Sequence, residues 1–134
     1  MKKEKTMTKE ERAHEALIYK HGGYNCCQSV INAFADVLDM DIDSLNKLAS
    51  GFAVGMGGME GTCGALVGAV ISAGLIMQGR GTTAAAKEMH TLFTEKSGAS
   101  ICKELKGRDT GVMLCSCDDC VQNAVLTLCE TLDI

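Results

Sequence analysis

Residues 61–79, GTCGALVGAVISAGLIMQG, carry no charge, and this run limits what the chain can become more than any other feature. About 20 predominantly apolar residues would span a bilayer. Here, however, five positions (61, 64, 68, 74 and 79) are glycine, and Thr62, Ser72 and Gln78 add polarity. The segment therefore reads as the buried central helix of a bundle, without stable membrane insertion. Within it Gly64, Gly68 and Ser72 recur every four residues, with Ala65, Ala69 and Ala73 beside them. Small side chains at that spacing let two helix backbones approach closely.

The rest of the chain agrees with an all-α, single-domain bundle of about five main helices around that small-residue helix. Its 134 residues suffice for one core without staples. Proline and tryptophan are absent and only five residues are Phe or Tyr, so the core must be aliphatic and the elements helical. No internal repeat, low-complexity segment or linker divides residues 1–134, of which 1–7 read as a disordered tail. A net charge of -4 argues against a nucleic-acid partner, since phosphate binding needs a basic face. The opening MKKEKTMTKEER lacks the apolar run of a secretory signal, which suggests a cytoplasmic protein.

Capping patterns place the helices. Thr8 with Glu11 forms a capping box opening a helix to about Lys20, closed at His21-Gly22-Gly23, with Ala13, Ala16 and Leu17 inward. Asn25 with Gln28 opens a second to about Leu38, with Val30, Ile31, Phe34, Val37 and Leu38 at helical spacing. A short third helix after Asp41 or Asp43 holds Leu45, Leu48 and Ala49. After the glycine loop 51-GFAVGMGGMEG-61, Thr62 is expected to cap the long helix to about Gln78. Thr82 or Thr83 starts a fifth, with Met89, Leu92 and Phe93 inward and Gly98 as its stop. Ser100 opens a short turn through Leu105, and Ser116 with Asp119 opens the last helix, to about Leu132.

Eight cysteines in a reducing compartment suggest metal or redox duty before structural disulfides. Four of them, Cys26, Cys63, Cys102 and Cys120, fall at the starts of four expected helices. A helix start offers unpaired N–H groups and partial positive charge, which stabilise a thiolate and lower its pKa from about 8.5 into the roughly 3.5–7.5 range. Gly55, Gly57, Gly58 and Thr62 could add backbone donors around a bound group. Four thiolates match a tetrahedral zinc site or a small Fe–S cluster; they equally serve a metal-free thiol/disulfide exchanger.

The remaining four are more ambiguous. The segment 115-CSCDDC-120 combines C-x-C with C-x-x-C, so Cys115 and Cys117 are extra ligand candidates, or merely part of a cysteine-rich turn opening a helix. No βαβ pattern accompanies it, which argues against a thioredoxin-like fold. Asp118 and Asp119 would raise neighbouring thiol pKa values and attract a cation. Cys27 lies about 100° around the helix from Cys26 and should face elsewhere. Cys129, in VLTLCETL, reads as a small buried apolar residue. His14, His21 and His90 have no ligand spacing, and the glycine loop lacks the Lys-Ser/Thr ending of a phosphate loop.

The chain resembles the C_GCAxxG_C_C family of redox-active proteins, small bacterial and archaeal proteins with four signature cysteines. The motif stands here as 63-CGALVG-68. The flanking cysteines match at Cys26 in 25-NCCQSV-30, Cys102 in 101-ICKELKGRD-109 and Cys120 in 120-CVQNAV-125. The resemblance implies that Cys26, Cys63, Cys102 and Cys120 form the site, with Cys27, Cys115, Cys117 and Cys129 outside the signature. It also implies a redox partner. Three functional readings follow: a redox protein, as Fe–S electron carrier or dithiol exchanger; a non-redox binder of zinc or a soft metal; or a helical adaptor whose small-residue face forms a homodimer seam.

Overall fold

The computed structural model describes residues 7–134; the tail expected over 1–7 lies, apart from Met7, outside the described residues. Seven α-helices and one π-type turn follow in order: α1 (Lys9–His21), α2 (Cys26–Asn32), α3 (Ile42–Leu48), the π-turn (Gly55–Met59), α4 (Gly64–Ile76), α5 (Thr82–Ser97), α6 (Cys102–Lys106) and α7 (Cys117–Leu132). Helix α7 packs on α1, α2, α4 and α5, and α4 packs on α2, α5 and α7. The core between them is largely aliphatic, with Phe34, Phe93, Ile31 and Leu45 as its bulkiest apolar members. No helix among the described residues is long and apolar enough to cross a membrane.

The small-residue stripe of α4 is consumed inside the chain. Gly64, Gly68, Ser72, Ala65, Ala69 and Ala73 are all buried. A methyl group on Gly68 would stand 2.6 Å from the Cys27 carbonyl oxygen of α2, so glycine lets the two helices meet. Ser72 turns its hydroxyl onto the Gly68 carbonyl at 2.9 Å, which satisfies it without a partner from another helix.

Three caps form as the sequence indicates: the capping boxes Thr8/Glu11 and Asn25/Gln28, and Asp41 opening α3. Ser116 caps α7 through the Asp119 amide. Helix α2 stops at Asn32 instead of running on to Leu38. Ser29 and Asn32 bond back to the carbonyls of Asn25 and Gln28, at 2.7 and 2.8 Å, and so compete with the helical ladder. Arg12 then takes the Ala33 carbonyl at 2.9 Å. The following turns swing Val37 out to 41 % exposure, against the expectation that it faces inward. Leu48, also expected inside, is 53 % exposed because α3 is too short to bury its last turn.

Arg12 is the least anticipated core residue, 2 % exposed where α1 meets the turns that follow α2. Its guanidinium bonds Asp36 through both nitrogens at 2.7 and 3.1 Å and stacks 5.0 Å from the Phe34 ring centroid. The buried charge is tolerated because a carboxylate, a carbonyl and an aromatic face all meet it.

Candidate functional site

The starts of α2, α4, α6 and α7 converge on one cavity of about 340 Å³, lined by Cys26, Cys63, Cys102, Cys117 and Cys120 together with Lys20 and Lys106. The expected four cysteines are thus brought together, with Cys117 as a fifth. Cys115 is buried behind them, where its carbonyl accepts from Lys106 at 3.3 Å and its sulfur faces the Asn123 amide at 3.7 Å. Cys27 and Cys129 are buried elsewhere in the core, and burial pushes their thiols up to about 12 and about 11. All eight cysteines are free.

Main-chain hydrogen bonds set the position of Cys63. Thr62 and Ile101 form an isolated antiparallel bridge: the Cys63 amide donates to the Ser100 carbonyl at 2.8 Å, and the Cys102 amide donates to the Gly61 carbonyl at 3.0 Å. The pairing leaves Cys63, not Thr62, as the N-cap of α4, because Thr62 is held extended in the bridge. Likewise Ile101, not Ser100, precedes α6, since the Ser100 carbonyl is engaged with Cys63 and its hydroxyl with His90 at 2.9 Å.

The glycine loop packs against this bridge. Gly55 is buried with φ +55, and a methyl group there would meet the Cys102 Cβ at 2.6 Å, so a side chain is excluded on both counts. Gly57 and Gly58, expected as backbone donors, lie at the exposed outer part of the loop. The loop residues that do reach the cavity are Ala53, Val54 and Met59. Val54 adopts the left-handed conformation (φ 55, ψ 45), a strain on the order of 1–3 kcal/mol for a β-branched residue. Its backbone is turned to the Cys26 sulfur, where a hydrogen bond favours the thiolate. The loop is fastened to α6 by Glu60, which pairs with Lys103 and Arg108 at 2.9 Å each, and by Arg108 donating to the Gly58 carbonyl at 3.2 Å.

The thiols are not equivalent. Cys63 is lowered from 9.0 to about 6, first by a hydrogen bond from Cys120, then by the Ala65 and Leu66 amides and the Lys106 charge, against burial. Those amides face the sulfur from the first turn without closing a cap hydrogen bond of full geometry. Cys120 is raised, first by its interaction with Cys63 and then by burial, and its thiol donates to the Cys115 carbonyl at 3.9 Å. Burial also raises Cys26 and Cys102, against the expectation that every helix start would lower its thiol. Their helices have only seven and five residues, too little aligned backbone to offset desolvation.

Lys106 is the site residue that motif reading missed. Its Nζ stands 3.8 Å from the Cys120 sulfur. Burial works to lower its pKa, but the sulfurs of Cys120 and Cys117 outweigh it and keep the ammonium charged. The signal was available, since Lys106 lies one helical turn after Cys102 in α6. Asp118 does not burden the thiols as expected: it pairs with Lys20 and His21 at 2.9 Å each, which lowers its own pKa.

Zinc or an Fe–S cluster would need several of these sulfurs to share one centre. Among the described residues, no group of three or more His, Cys, Asp or Glu is arranged to hold a metal ion. Ligation would require the thiols to close in further.

Fold and site define a small all-α protein built around a cysteine cavity. The family described as "Putative redox-active protein (C_GCAxxG_C_C)" matches residues 24–131, and the chain belongs to that family. No curated protein and no solved structure matches it significantly.

Proposed function

We propose that the protein is a thiol/disulfide exchanger in which Cys63 is the attacking thiol and Cys120 the resolving one. The observation that carries this reading is the unequal pair: a cavity-lining Cys63 held as thiolate near neutral pH beside a protonated Cys120. An attacking thiol works best when its pKa lies near the ambient pH, because it is then deprotonated yet still nucleophilic.

The Cys63 thiolate attacks one sulfur of a disulfide R–S–S–R′. The S–S bond breaks, R′S⁻ leaves, and a mixed disulfide joins Cys63 to R. Cys63 then no longer accepts the Cys120 hydrogen bond. The Cys120 proton passes to R′S⁻, and Lys106 stabilises the thiolate left behind. Cys120 attacks the Cys63 sulfur and expels RS⁻, which takes a proton from solvent. The substrate gains two electrons and becomes two thiols; the protein loses two and holds a Cys63–Cys120 disulfide.

The test is single turnover with hydroxyethyl disulfide followed by peptide mapping. Trapped at the earliest times, wild type should yield Cys63–Cys120, and Cys120→Ala should accumulate a mixed disulfide on Cys63. Labelling confined to other cysteines would overturn the assignment. So would purification without oxygen that yields one Fe–S cluster or zinc ion per chain bound through Cys63.

A further inference from the structure

Cys63 and Cys120 are 5 % and 1 % exposed, so a disulfide between them would be sheltered from any bulky reductant. Cys117, outside the four-cysteine signature, lines the same cavity and is exposed to solvent. It occupies the first position of α7, three residues before Cys120. On an α-helix that separation places the two Cα atoms about 5 Å apart, a span a disulfide bridges once the two free thiols rotate toward each other. The Lys106 ammonium stands 3.8 Å from the Cys120 sulfur and lines the same cavity as Cys117, so one cation faces both thiols.

We propose that Cys117 is a relay thiol that carries the disulfide from the buried pair to the surface, where a dithiol reductant removes it. The proposal rests on the exchange reaction above. Cys117 loses its proton to solvent and attacks the Cys120 sulfur. The Cys63–Cys120 bond breaks, Cys63 leaves directly as the thiolate its surroundings stabilise, and Cys117–Cys120 forms. No electrons enter in this step. An external dithiol then attacks the exposed Cys117 sulfur and displaces Cys120. Its second sulfur closes on the first and releases Cys117, so the reductant becomes a cyclic disulfide and the protein regains both thiols.

The experiment uses the full chain, reduced and mixed with one equivalent of hydroxyethyl disulfide, alkylated at timed intervals and mapped without reduction. In wild type the Cys63–Cys120 disulfide should appear first and give way to Cys117–Cys120. In Cys117→Ser, Cys63–Cys120 should persist, and its reduction by added reduced thioredoxin should slow at least tenfold. If Cys63–Cys120 persists in wild type and is reduced as fast as in Cys117→Ser, the relay is wrong while the exchange reaction stands. If Cys63 enters no disulfide at all, the exchange reaction fails and the relay falls with it.

Discussion

Cys63 and Cys120 line one cavity with opposite shifts: their interaction lowers the thiol of Cys63 and raises that of Cys120. Alkylation of Cys63 by iodoacetamide should therefore follow a midpoint near 6, far below the ordinary 9.0. Cys120→Ala removes the largest cause and should raise that midpoint by about one unit or more, which is ~1.4 kcal/mol per unit. Cys120→Ser keeps a donor and should shift it less. Equal midpoints in all three proteins would show that the hydrogen bond does not tune Cys63.

Lys106→Met should raise the Cys63 midpoint by less than Cys120→Ala does, because the ammonium is the last of its stabilising influences. The larger consequence belongs to resolution, since Nζ lies beside Cys120. Stopped-flow kinetics should show the second step slowed about tenfold or more, with the first step slowed less. A variant slowed only in the first step would contradict that division.

The depressed Cys63 value also links to stability. A thiol whose folded pKa lies below its unfolded one stabilises the fold fully above pH 9, and the contribution is lost as pH falls through about 6. Urea denaturation of wild type and Cys63→Ala across that window should show the difference between them shrinking toward acid. A constant difference would mean that Cys63 titrates alike in both states.

Substitutions at glycine separate close approach from loop flexibility. Gly68→Ala pushes a methyl group against the Cys27 carbonyl at 2.6 Å and should cost about 1–3 kcal/mol by forcing α2 and α4 apart. Gly51→Ala meets nothing within 4 Å and should be near neutral. Thermal melts of the two variants make the comparison.

The buried guanidinium gives a further contrast. Arg12→Met leaves the Ala33 carbonyl without its guanidinium donor and removes the ion pair to Asp36, and should destabilise by about 1–3 kcal/mol. Asp36→Asn should cost less, because that side chain is 49 % exposed and retains an acceptor. Chemical denaturation of each variant measures both.

Much of this was legible because it is local. Capping at Thr8, Asn25, Asp41 and Ser116 depends on residues three positions apart, so sequence spacing reveals it. The gathering of Cys26, Cys63, Cys102 and Cys120 could be anticipated because each sits at a helix start. What was not legible depends on contacts between distant segments. The Thr62–Ile101 bridge moved the cap of α4 by one residue, and Arg12 shortened α2 by claiming Ala33 from 21 positions away. The contrast between Cys63 and the other thiols needed burial and the Cys120 contact, neither of which spacing encodes.

The reciprocal bonds from Cys63 to Ser100 and from Cys102 to Gly61 join amides to carbonyls, and no side chain takes part. The sulfurs are therefore interchangeable fittings on a fixed mount. A selenol at residue 63 should occupy the thiol's position without a redesigned neighbourhood, turning the cavity into a ready scaffold for chalcogen chemistry of chosen strength.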